Sequence, residues 1–116
     1  MNVYDKAHEL ARALRGSEEM KRLLAAKALL DADETTQRMV KDYLAKQMEL
    51  EYEVLSGKGE NKEKAEQLQR MFDLVRTNSR ANEFLQCYMR FQQLMADISR
   101  IIGEAAAEGM DVFDKK

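Results

Sequence analysis

The chain has 116 residues, the size of a single domain, which leaves no room for a catalytic domain plus a second module. Nineteen lysines and arginines against twenty-one aspartates and glutamates give a net charge of −2, with both signs scattered along the sequence. Binding to nucleic acid through phosphates needs a concentrated basic surplus, so this composition argues against autonomous nucleic-acid binding.

The sequence also carries no sign of secretion or membrane insertion. The N-terminus lacks a basic start followed by an apolar run, and no uncharged apolar stretch approaches the length of a membrane span. The single cysteine, Cys87, excludes an intramolecular disulfide and fits a reducing compartment. We therefore expect a cytoplasmic protein without a membrane partner.

The absence of proline and tryptophan, with only five glycines, predicts an all-α fold. The first helix is indicated by Val3, Ala7, Leu10 and Leu14, which are spaced four, three and four residues apart. Tyr4 and Ala11 widen this stripe, and Gly16 follows as a stop signal.

A second helix is predicted from an N-cap at Ser17 to about residue 31, because the serine hydroxyl can accept hydrogen bonds from free amides of the first turn. Its apolar face is imperfect. Leu29 points away from the side that carries the other apolar residues, which are Met20, Leu23, Leu24 and Leu30.

A third helix, capped by Asp33, is predicted over residues 34–55, roughly 33 Å long. The loop at residues 56–61 precedes a fourth helix with a three-four apolar repeat. A short polar loop between two such helices predicts an antiparallel hairpin. Gln47 interrupts the third helix's stripe, either fixing register at an interface or lying at its wet edge. The apolar repeat of the fourth helix is interrupted near residues 77–79, where we predict a break between two helices.

The fifth helix, predicted over residues 80–107 and roughly 40 Å long, carries the most regular pattern. One apolar row follows alternating steps of three and four residues: Ala81, Phe84, Tyr88, Phe91, Met95, Ile98, Ile102 and Ala105. A second row repeats every seven residues beside it: Cys87, Leu94 and Ile101. The helix should end before Gly109, leaving a flexible tail at about residues 110–116.

Two helices of this length predict an elongated, single-domain bundle over residues 1–116, and an elongated bundle leaves apolar surface uncovered. We expect self-association into a dimer or larger homo-oligomer to cover it. The expected face comprises Phe84, Tyr88, Phe91, Leu94, Met95, Ile98, Ile101 and Ile102. Alternatively, the first two helices fold back over the fifth within one chain.

No residue pattern indicates catalysis, a cofactor or a metal site. His8 is the only histidine and follows Asp5 by one helical turn, whereas di-iron bundles need two such units and further carboxylates. Cys87 lies beside the apolar row, where a cysteine usually packs as a small hydrophobe. Gly57-Lys58-Gly59 is interpreted as a turn, and the methionines mainly as core residues. We expect no enzyme activity.

Several stretches nevertheless resemble the YlbF/YmcA/YheA family of small bacterial helical proteins, and the YheA branch most closely. They are Tyr4-Asp5-Lys6-Ala7-His8-Glu9-Leu10-Ala11-Arg12-Ala13-Leu14, Ser17-Glu18-Glu19, Ala32-Asp33-Glu34, Asn82-Glu83-Phe84-Leu85, Met89-Arg90-Phe91 and residues 98–103. The resemblance covers nearly the whole chain and implies an all-helical, self-associating fold.

The resemblance also implies a class of function. The YlbF and YmcA branches are non-catalytic partners in a complex that influences ribonuclease Y, and some members bind iron-sulfur clusters through several cysteines. This sequence has only Cys87, so a cluster held by one chain is not expected, and no cluster ligand is assigned. The leading hypothesis is an oligomeric adaptor or regulator with protein partners in RNA processing. The alternative is a direct nucleic-acid-binding accessory that uses local clusters such as Lys21-Arg22.

Overall fold

A computed structural model describes residues 2–112, and over that range the chain forms five α-helices without a strand. The helices are α1 (Val3–Arg15), α2 (Glu18–Asp31), α3 (Glu34–Leu55), α4 (Lys62–Thr77) and α5 (Ser79–Met110). The predicted all-α class, the α3–α4 hairpin and the long C-terminal helix are confirmed. Of the predicted flexible tail, residues 113–116 lie outside the described range.

Each helix begins at a side chain that accepts hydrogen bonds from backbone amides of the first turn. The five N-caps are Asn2, Ser17, Asp33, Asn61 and Asn78. These local contacts satisfy amides that have no partner within the helix, so they define where each helix starts. Asn78 both ends α4 and caps α5, which confirms the predicted break at residues 77–79.

The prediction that the fifth helix ends before Gly109 is wrong, because α5 continues to Met110. Gly109 does not adopt the positive φ of a helix-terminating glycine, and one glycine within a helix costs only about 1 kcal/mol. Gly57 and Gly59, in contrast, have φ values of 84° and 76° and form the turn between α3 and α4.

The core lies where α2, α3, α4 and α5 meet. Its buried residues are Leu30, Val40, Tyr43, Val75, Ala81 and Leu85. Ala26 on α2 is also buried, and its small side chain lets α2 approach its neighbours closely. Leu24 was predicted to share the apolar side of α2, but 56% of its surface is exposed because the core lies on the Ala26 and Leu30 side.

Helix α2 runs antiparallel to the first half of α5. Leu30 near its end packs with Ala81 and Leu85, while Glu18 at its start lies near Cys87 and Arg90. Helix α1 contacts α2 alone. Of the two helices that could have folded back over α5, only α2 does so, and it covers only half of the length.

The molecule is elongated, as the sequence predicted. Its radius of gyration is 18.3 Å, and its principal extents are 48 × 39 × 16 Å. A compact domain of this size would have a radius of gyration of about 13 Å. The difference arises because α1 and the end of α5 extend beyond the core.

Candidate interaction surface

The predicted self-association face on α5 divides into two parts in the structure. Phe84, at one end, packs against the core and stacks on Tyr88 with ring centroids 5.8 Å apart. Tyr88, Phe91 and Leu94 are half-buried. This first part already has neighbours within the chain.

The second part of the α5 face has almost no neighbours within the chain. Met95, Ile101 and Ile102 are 39%, 61% and 56% exposed, and every residue from Ser99 to Met110 is exposed. Only Ile98 is half-buried among the later members of the face. We call residues 95–110 of α5 the distal segment.

Helix α1 carries a second apolar surface that is only partly covered. The α1 face comprises Val3, Tyr4, Ala7, Leu10, Ala11 and Leu14. No residue of this helix is fully buried: Val3 and Tyr4 are 81% and 78% exposed, whereas Leu10, Ala11 and Leu14 are half-buried. The stripe was evident in the sequence, but the predicted self-association face did not include it. The regular apolar spacing along α1 was the sequence signal that could have identified this helix as part of an interaction surface.

The turn between α1 and α2 is held by hydrogen bonds from both helices. The amides of Gly16 and Ser17 donate to the carbonyls of Arg12 and Leu14, at 3.1 and 3.2 Å. The Ser17 hydroxyl donates to the Leu14 carbonyl at 2.7 Å and accepts from the Met20 amide at 3.1 Å. Because the serine caps α2 while bonding back to α1, it fixes the angle at which α1 leaves the bundle.

A third apolar surface lies at the tip of the α3–α4 hairpin. An open cavity of about 630 Å³ is lined by Leu50, Val54, Leu55 and Ala65, with Glu51, Glu60 and Asn61 at its polar parts. Leu55 is 87% exposed. The cavity has no cluster of titratable groups suited to catalysis, and its walls are suited to apolar contact.

Charged side chains tie the same hairpin together. The Lys64 ammonium on α4 donates to Glu49 Oε1 on α3 at 2.8 Å, and it also pairs with Glu53. These hydrogen bonds raise the pKa of Lys64 to about 12, and the bond from Lys64 lowers the pKa of Glu49. The arrangement joins two helices and has no open position for a ligand.

A polar network joins the α2–α3 turn to the α4–α5 turn. Buried Thr36 donates its hydroxyl to Asp33 Oδ2 at 2.7 Å and accepts from Asn78 Nδ2 at 3.3 Å. The hydrogen bond from the Thr36 hydroxyl, together with that from its backbone amide, lowers the pKa of Asp33. Two helix caps are thereby connected through one hydroxyl, which makes the network structural.

Cys87 and His8 stand apart from each other in the structure. Cys87 is buried and its thiol lies 3.7 Å from Glu83 Oε1. Burial, and then the Glu83 charge, raise the pKa of the thiol, which disfavours the reactive thiolate. His8 lies exposed on α1. Among residues 2–112, no three histidine, cysteine, aspartate or glutamate side chains converge to hold a metal ion.

Gln47, which interrupts the α3 stripe, is half-buried. It therefore lies at the edge of the intramolecular packing and outside the buried core. Within the part of the chain that the structure describes, no helix is long and apolar enough to cross a membrane.

Residues 3–106 match the family described as control of competence regulator ComK, YlbF/YmcA. The chain belongs to this family. A UPF0342 protein from Caldicellulosiruptor saccharolyticus is 41% identical over 104 residues, covering 90% of this chain and 87% of that protein. Another UPF0342 protein, from Clostridium tetani, is 30% identical over the full length of both chains.

Solved structures confirm the fold of this family member. A protein of unknown function (DUF964) from Bacillus stearothermophilus has a TM-score of 0.75 and 22% identity, covering 97% of this chain and 98% of that one. Bacillus subtilis RicA, crystallised in complex with RicF, has a TM-score of 0.57 and 19% identity, with coverage of 91% and 94%. At these identities, the similarity establishes the arrangement of helices alone.

Proposed function

We propose that the chain is a non-catalytic, self-associating helical adaptor or regulatory protein of the cytoplasm that acts by binding other proteins. The observation that carries this proposal is the exposed apolar surface on the first half of α1 and on the distal segment of α5. Water-exposed apolar stripes of this length are typical of surfaces that bind protein.

Two further findings support protein partners. The description of the family refers to control of a regulator, ComK. A structural neighbour, RicA, was crystallised with another protein, RicF. By the family resemblance, we further propose that the pathway is RNA processing and that the partner is of the ribonuclease Y type.

The chemistry of the titratable residues supports an adaptor over an enzyme. The Cys87 thiol is buried with a raised pKa, and the histidine that could act as its base lies on another helix, exposed to solvent. An activated nucleophile needs a base within hydrogen-bond reach or a lowered pKa. Neither condition is met around Cys87.

Direct nucleic-acid binding is the weaker alternative. The positive charge of its best candidate cluster, Lys21-Arg22, is partly neutralised because the Arg22 guanidinium pairs with Glu18 at 3.5 Å. The net charge of −2 also opposes phosphate binding at physiological salt.

The test is affinity purification of the tagged chain from its own cells, with and without ribonuclease treatment, probing the eluate for ribonuclease Y. We expect ribonuclease Y to be retained after treatment. Loss on treatment would favour binding through RNA, and absence in both samples would refute the proposed partner. The Lys21→Gln variant is the control, because it weakens the basic cluster while leaving every apolar surface intact.

A further inference from the structure

We propose that the α1 face of one copy packs, in parallel orientation, on the distal segment of α5 of a second copy. This proposal rests on the self-association proposed above and identifies the two surfaces that meet. By twofold symmetry the contact would occur twice, which doubles the buried area.

The two surfaces match in length and availability. Helix α1 has 13 residues, about 20 Å, and the distal segment is about 25 Å long. Each is an apolar stripe on a helix, and much of each stripe is exposed within one chain: Val3, Tyr4 and Ala7 on α1, and Ile101, Ile102 and Ala105 on the distal segment. Helix α1 does not contact α5 of its own chain, and hydrogen bonds at Ser17 hold the turn that joins α1 to α2, so a second copy is the source of the covering helix.

The charges beside the two stripes are complementary. Placing residues at 3.6 per turn puts Arg12 and Arg15 along one side of the α1 face. The same construction puts Asp97, Glu104 and Glu108 along one side of the distal segment's stripe. No ion pair involving Arg12 or Arg15 is found among residues 2–112, whereas Asp97 and Glu104 share the single cation Arg100.

The handedness of the helix then selects the orientation. Viewed from the N-terminus, the basic row lies clockwise of the α1 face, and the acidic row lies anticlockwise of the stripe on the distal segment. Two facing helices bring such rows to the same side only when they run parallel. The stripes then align with Arg12 near Glu104 and with Arg15 near Glu108. Antiparallel packing would instead place the arginines beside Ser99 and Ala106.

Two matched pairs of substitutions test the contact without disturbing the core, because all four alanines are exposed. Ala7 lies within the α1 face and Ala13 outside it, and Ala105 lies within the stripe of the distal segment while Ala107 lies on the opposite side of α5. We expect Ala7→Glu and Ala105→Glu each to raise the Kd of self-association at least about tenfold, because each buries a charge. Ala13→Glu and Ala107→Glu should change it less than about twofold, measured by analytical ultracentrifugation.

Charge reversal tests the parallel orientation. Arg15→Glu should weaken the dimer, and adding Glu108→Lys to the same chain should restore the wild-type Kd within about threefold. Lys6→Glu, on the other side of the α1 face, is the control for a change of net charge. Failure of the second substitution to restore affinity would refute the parallel contact.

Cross-linking distinguishes packing of α1 on α5 of a second copy from packing of α1 on α5 of the same chain. In a Cys87→Ala background, Ala7→Cys is placed on one tagged copy and Ile98→Cys on a differently tagged copy. We expect a short bis-maleimide to join the two tags. A chain carrying both cysteines that instead closes on itself as a monomer would overturn the proposal.

The outcomes also separate this contact from self-association in general. A wild-type chain that is monomeric at all accessible concentrations would refute both self-association and the contact between α1 and the distal segment. A dimer that tolerates Ala7→Glu and Ala105→Glu would refute the α1 contact and leave self-association through another surface of α5.

Discussion

Replacing Leu85 and Ile101 by alanine, one at a time, tests whether the two halves of α5 have different roles. Leu85 is 3% exposed within the core, whereas Ile101 is 61% exposed on the distal segment. Truncation at Leu85 removes three buried carbons at about 0.8 kcal/mol each, or about 2.4 kcal/mol, and the cavity left behind raises the cost to about 3 kcal/mol. At Ile101 the same loss of carbon is mostly from solvent-exposed surface, so the cost to one chain is at most about 1 kcal/mol.

The assay is urea unfolding followed by circular dichroism, at a dilution where the chain is monomeric and again at high concentration. In dilute protein we expect Leu85→Ala to lose about 3 kcal/mol and Ile101→Ala less than about 1 kcal/mol. At high concentration wild type should gain stability by association, and Ile101→Ala should gain less. Equal losses for both variants in the dilute sample would refute the division of α5.

Three further predictions concern single groups. Thr36→Val should lower the free energy of unfolding by about 1 to 2 kcal/mol in urea melts, because a buried hydrogen bond to Asp33 is lost and the Asn78 amide loses its acceptor. Because folding lowers the pKa of Asp33, this carboxylate stabilises the folded chain at pH values above its ordinary pKa of 3.8, and the stabilisation is lost as the pH falls through the folded pKa. Asp33→Asn should therefore make the stability of the chain less sensitive to acid. An acid-unfolding transition that is unchanged in this variant would contradict the prediction. Cys87, buried with a raised pKa, should react with Ellman's reagent at least about tenfold more slowly in the folded chain than in urea, and equal rates would contradict its burial.

The sequence predicted where the helices start because the signals are local. Ser17 and Asp33 hydrogen-bond to amides only three residues away, and the polar residues 77–79 interrupt the apolar repeat at the point where Asn78 caps α5. Such contacts form within one turn of chain and depend little on distant residues. Gly109 misled the prediction because glycine stops a helix only where it takes a positive φ, and residue type alone does not specify that angle.

Burial was less predictable, because it depends on where neighbouring helices lie. Leu85 falls outside both apolar rows of α5, yet it is buried because α2, α3 and α4 surround the first half of that helix. Leu24 was predicted to lie on the apolar side of α2 but is exposed for the same reason, since α2 turns its Ala26 side inward. Periodicity describes one helix and cannot specify which side of it meets several others.

The sequence by itself determined the all-α class, the helix boundaries to within a few residues, the elongated shape and the absence of a recognisable catalytic motif. Only the tertiary structure decided that α2 covers half of α5, while much of the apolar surface of α1 and of the distal segment remains exposed. The physical reason is that capping and periodicity act along the chain over a few residues, whereas the angle at Ser17 and the packing around Leu85 determine which apolar surfaces meet.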